Sequence, residues 1–157
     1  MIDPGQFRQI VIVPALQRLN LWSLVAQELL LGTALQESGL AHLVQHGGPA
    51  RGVFQVEPAT HADVWANFLH YRPELLQAVL ALTAPWPDRE AQLATNLIYE
   101  AAIARLIYLR APEPLPATPD PYALANYWKR WYNTAGGAGT VEQFADTYHH
   151  FAGPLPA

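Results

Sequence analysis

At 157 residues the chain is long enough to bury a sizeable core and falls in the usual range of one domain, roughly 100 to 200 residues. Hydrophobic residues make up 51% and charged ones 14%, which excludes a disordered or solvating chain. The formal charge of −4, the single lysine (Lys129) and the scattered arginines leave no basic stripe for a phosphate backbone, and the absence of cysteine rules out disulfides and thiolate metal sites.

The start, Met1-Ile2-Asp3-Pro4-Gly5, has neither the positive leader nor the long apolar run of a secretory signal. No later apolar run reaches membrane-spanning length. From Gln6 to Leu19, Ile10, Val13, Leu16 and Leu19 recur at helical spacing around Pro14, predicting a first helix that kinks or restarts. Asn20 is the expected cap of a second helix running from about Leu21 to Gln36, and Gly39 is its expected stop. The glycines and proline of His46 to Phe54 predict a loop or short strand pair over about 46–57.

Helical stretches are expected from Thr60 to about Tyr71 and from Pro73 to Leu82, the second halted by Pro85 and Pro87. Residues 89–110 hold no glycine or proline, and Leu93, Leu97, Ala101, Ala104 and Tyr108 recur with helical period. They predict the longest and most central helix, with Asp88 as its cap. Five prolines in 111–121 read as an extended connector that wraps the surface or borders a cleft. Tyr122–Tyr132 is expected to be helical, Gly136-Gly137-Ala138-Gly139 a turn, and Thr140 the cap of a last helix to about Phe151. Strand signals are nearly absent, so the fold class is mainly α, with residues 1–157 as a single domain.

Chemistry concentrates around Gln36-Glu37-Ser38-Gly39. A glycosidase needs a carboxylic acid that stays protonated near neutral pH, which a poorly solvated pocket provides. The run Leu29, Leu30, Leu31, Ala34 and Leu35 gives Glu37 such a setting at the end of an apolar helix. Glu28, nine residues earlier, falls roughly 180° around that helix and cannot share its site. For a lone glutamate at a helix end, a solvated surface position is the ordinary expectation. The segments Gly52-Val53-Phe54-Gln55 and Pro58-Ala59-Thr60 shift the balance towards a site.

Together these segments resemble the lytic transglycosylase family of the soluble, goose-lysozyme-like type. There a Glu-Ser pair precedes a Gly-Leu-Met-Gln segment and then Pro-x-Thr, and here Val53 and Phe54 stand for Leu and Met. Trp131-Tyr132-Asn133-Thr134-Ala135-Gly136-Gly137 is similar to the family's Ala-Tyr-Asn and Ala-Gly motif, with Trp for the first Ala and an added Thr. Asn96-Leu97 and Tyr108-Leu109 match part of a central-helix motif, one helical turn longer, with Glu100 or Ala101 where glycine is expected. The resemblance spans about residues 24–145.

It implies a lysozyme-like domain with a central long helix, Glu37 as catalytic acid, and Ser38, Phe54, Gln55, Trp131, Tyr132 and Asn133 as substrate-binding residues. Tyr132 is expected to bond or orient Glu37, and Asn133 to hold the neighbouring backbone. By chemistry, the Gln55 amide can donate to and accept from a sugar, and Gly52 lets the backbone approach closely. Trp128, Trp131 and Tyr132 share one helical face that can stack on sugar rings or pack in the core. Glu57, beside Gln55, is a possible second carboxylate. His46, His61, Asp63, His70, His149 and His150 show no ligand spacing backed by a third group, so no metal is expected.

The expected activity is cleavage of the bond between N-acetylmuramic acid and N-acetylglucosamine in peptidoglycan, with a 1,6-anhydro product and no cofactor. The alternatives are a hydrolytic muramidase using Glu57 or Asp63 as base, and a catalytically weak glycan-binding or structural virion module. Gly52 to Trp65 looks most like versions carried by tailed bacteriophages, so the expected setting is a virion, or a host cytoplasm with action at the wall. A delivery protein is the expected partner besides the glycan strands, because negative charge gives no hold on an anionic wall.

Overall fold

The computed structural model describes residues 1–134 and 136–155. Helix α1 (Pro4–Phe7) passes through a π-helical turn at Arg8–Ile12 into α2 (Val13–Arg18). The wide turn lies just before Pro14, whose ring and missing N–H disrupt the regular bonding of that stretch. It also shifts the register: Val11 and Ile12 are buried while Ile10, expected on the inner stripe, is 63% exposed.

Helix α3 (Leu24–Ser38) is buried around its whole circumference from Ala26 to Leu35. Ser23, rather than Asn20, caps it by accepting from the Ala26 amide at 3.1 Å, while Asn20 takes a left-handed conformation (φ 55°) in the preceding turn. Gly39 stops the helix at φ 60°, its N–H bonded to the Leu35 carbonyl at 2.9 Å. After α3 the chain forms a loop closed by isolated antiparallel bridges, Val44 with Arg51 and Arg51 with Val56. Helix α4 (Pro58–Asp63) continues through π and 3₁₀ turns to Tyr71, and α5 (Pro73–Leu80) follows.

The expected single helix over 89–110 is divided. Helix α6 (Gln92–Thr95) ends at Asn96, whose side chain accepts from the Tyr99 amide at 3.1 Å and caps α7 (Leu97–Leu109). A local side-chain bond therefore replaces the continuing backbone ladder. The longest helix is α3, with 15 residues against 13 in α7. Both belong to the core, joined where Thr33 Oγ1 and the Tyr108 hydroxyl meet at 2.6 Å. Helices α8 (Pro121–Trp128), extended by a π turn at Lys129–Asn133, and α9 (Val141–Phe151) pack against α3, so the fold is mainly helical.

Close approach is possible because a side chain at Gly32 would strike the Phe144 ring, 2.8 Å from its Cε1. Buried Glu28 ties three parts of the chain together. It pairs with Arg8 at 2.8 Å and accepts from the Tyr148 hydroxyl at 2.7 Å, on the side of α3 away from Glu37. Among the described residues no helix is long and apolar enough to cross a membrane.

Candidate functional site

Glu37 stands on the last turn of α3, half-buried, where it lines a cleft of about 700 Å³. Burial pushes its carboxyl above the usual carboxylate range, and a hydrogen bond from Trp128 opposes that rise. The indole N–H donates to Oε1 at 2.8 Å. Because indole has no acceptor to offer, Oε1 is held as an acceptor and the acid proton is favoured on Oε2. The Tyr132 phenol is raised by burial first and by the nearby Glu37 charge second.

Of the residues singled out by sequence, Glu37, Gln55, Glu57, Tyr132 and Asn133 line this cleft together. Gln55 takes a left-handed conformation (φ 49°), and one amide N–H is spent on the Gly52 carbonyl at 2.7 Å. Glu57 is exposed at the mouth, just ahead of α4. Tyr132 does not bond Glu37 as expected: its hydroxyl donates to the Phe54 carbonyl at 2.8 Å and fixes the loop.

Asn133 does not hold the backbone itself but accepts from Lys129 Nζ at 2.6 Å. The same ammonium donates to the carbonyls of Gly137 at 2.9 Å and Gly139 at 2.7 Å. Lys129 therefore gathers one wall of the cleft. Ala135, part of the expected motif, lies outside the described residues.

Ser38, Phe54 and Trp131 are absent from the cleft lining. Ser38 is buried and its hydroxyl donates to the Val53 carbonyl at 2.7 Å, anchoring the loop to the helix end. Phe54 is fully buried, its ring 5.9 Å from Phe7. Trp131 is half-buried against the core. Of the three aromatic residues expected to share a face, Trp128 and Tyr132 both line the cleft, while Trp131, inside the π turn at Lys129–Asn133, does not.

Sequence reasoning missed Glu100 as a builder of the site. Its buried carboxylate accepts from the amides of Val53 at 3.1 Å and Phe54 at 2.7 Å, holding the loop from beneath. Burial raises this carboxyl well above the ordinary range, and the two amides oppose the rise. Gly52, at φ 75°, makes the approach possible: a Cβ there would sit 2.1 Å from the Glu100 carboxyl and from the Leu93 carbonyl. The close approach inferred for Gly52 is thus to the protein's own carboxyl. One sequence signal for Glu100 is a charge among the apolar residues of 97–109.

His42 also lines the cleft and was not anticipated; Thr60, from the Pro58-Ala59-Thr60 segment, and His46, considered only as a metal ligand, line it as well. His61 lies elsewhere, bonded to the Tyr99 hydroxyl at 2.6 Å, and is lowered by burial and then by Arg89, with Asp88 opposing. Asp63 pairs with Arg110 and bonds Asn67. Comparison of the chain with known protein families, curated proteins and solved structures finds no match.

Proposed function

We propose that the protein is a lytic transglycosylase with a lysozyme-like arrangement, acting on the glycan strands of peptidoglycan. The observation that carries this reading is Glu37 itself: a carboxyl raised by burial, at a helix end, opening on a cleft and held by one indole donor. Such a group is suited to give a proton to the glycosidic oxygen as the bond to the muramic anomeric carbon breaks. The resulting carboxylate then takes the proton of the muramic 6-hydroxyl, whose oxygen bonds to that carbon and closes the 1,6-anhydro ring. No water enters, and one carboxylate serves both steps. Tyr132, Ser38 and Glu100 fix the loop that carries Gln55, leaving the Gln55 amide on the cleft wall to meet the sugar. A phage setting fits this reading, with a virion or holin route taking the enzyme to the wall.

Glu57 on the same cleft favours a second reading, hydrolysis by a muramidase in which Glu57 activates water. Mass spectrometry of the products from purified peptidoglycan separates the two. Anhydro ends that vanish in Glu37→Gln support transglycosylation, reducing ends support hydrolysis, and no cleavage by wild type leaves a glycan-binding or structural module.

A further inference from the structure

A second cavity, of about 370 Å³, lies between the C-terminal half of α7 and the proline-rich connector. It is linked to the cleft by three tyrosine rings: Tyr108 lies 5.1 Å from Tyr132, which lines the cleft, and 5.7 Å from Tyr127, which lines the cavity. Its size is within the range of small-molecule sites, about 300 to 1,000 Å³.

The cavity contains an unspent cation. Arg105 is only 6% exposed, its Nε has no hydrogen-bond partner, and no carboxylate pairs with it among the described residues. The other polar side chains of the lining are already committed. The Tyr108 hydroxyl meets Thr33, the Tyr127 hydroxyl donates to the Glu113 carbonyl at 2.9 Å, and Arg130 neutralises Glu113 at 2.6 Å. The remainder is apolar: Leu109, Leu115 and prolines, which have no N–H.

A buried guanidinium without a counter-ion is costly, and its planar fork matches a carboxylate. We infer that the Arg105 cavity binds an organic monocarboxylate, the guanidinium taking the anion and the tyrosine, leucine and proline lining taking the apolar remainder. A phosphate dianion fits less well, because the lining offers one cation and no further free side-chain donor. This assignment stands independently of the reading of the Glu37 cleft.

The test follows the Arg105 Nε–H resonance of ¹⁵N-labelled protein by NMR, titrated with N-acetylalanine, with inorganic phosphate and with sodium chloride. N-acetylalanine is expected to shift that resonance saturably, with at least about tenfold weaker binding in Arg105→Lys, which lacks the fork, and none in Arg105→Met. Arg105→Met keeps the volume and removes a buried charge, so it is expected to fold; should it not, the wild-type titration decides alone. No saturable shift with N-acetylalanine, equal binding by Arg105→Met, or tighter binding of phosphate overturns the assignment.

Discussion

Trp128 donates its indole N–H to Oε1 of Glu37 at 2.8 Å, from a ring buried against Phe144 at 5.2 Å between centroids. The donor therefore rests on the core, and it opposes the rise that burial imposes on Glu37. Trp128→Phe keeps the aromatic packing and removes the N–H. The Glu37 carboxyl then moves further up, and the basic limb of the pH–activity profile, which reports loss of the acid, moves to higher pH. Turnover is expected to fall roughly tenfold, the equivalent of one hydrogen bond of about 1.4 kcal/mol. A basic limb that stays in place assigns Trp128 to packing alone.

Glu37→Gln removes the acid while its amide oxygen can still accept from Trp128. Cleavage is expected to fall by roughly 10²-fold or more, measured as release of soluble muropeptides. Stability moves the other way. The folded-state value of Glu37 lies above that of the unfolded chain, so the wild type binds more protons folded and loses stability as pH rises through that interval. The variant has no such loss. Its melting temperature should exceed that of wild type near pH 7, and the difference should close at pH values below about 4, the ordinary range of an unfolded glutamate.

The helix end that carries Glu37 was legible because Gly39 is a local signal: a left-handed stop needs no knowledge of the rest of the chain. The partners of that end were not. Ser38 reads as a site residue beside Glu37, yet it meets Val53 across the fold, and Trp128 reaches Glu37 from a separate helix. Regular spacing failed at two places where the helix is irregular. The π turn before Pro14 exposed Ile10, and at the one spanning Lys129–Asn133 Trp131 is missing from the cleft that Trp128 and Tyr132 line together. Asn96 was noted as a motif residue, but its power to end one helix and cap the next depended on the turn that Leu82 and Gln92 build around it.

Gly52→Ala tests the join between the loop and α7. The new Cβ must displace the Glu100 carboxyl and the Leu93 carbonyl, and alanine must also hold a φ of 75°. The backbone cost alone is about 1 to 3 kcal/mol, and the clash adds to it. Thermal unfolding should show a large loss of stability. Glu100→Gln keeps the volume but turns an N–H towards one of the two amides, and is expected to cost about 1 to 3 kcal/mol. A Gly52→Ala protein as stable as wild type contradicts this packing.

Lys129→Met separates the cleft wall from the carboxyl chemistry. The ammonium serves Asn133 and the carbonyls of Gly137 and Gly139, and it makes no hydrogen bond to Glu37. Methionine keeps the length of the stem and abandons three acceptors, at a cost of about 1 to 3 kcal/mol because the segment is partly open to water. Gly139 also lies against Trp128, where a Cβ would be 2.6 Å from the indole Cη2, so loosening the wall reaches the donor of Glu37 only through packing. Substrate binding is therefore expected to suffer more than turnover: KM rises severalfold while kcat changes less than twofold, and the basic limb of the pH profile stays in place. A fall confined to kcat, with KM unchanged, places Lys129 in the reaction rather than in the wall.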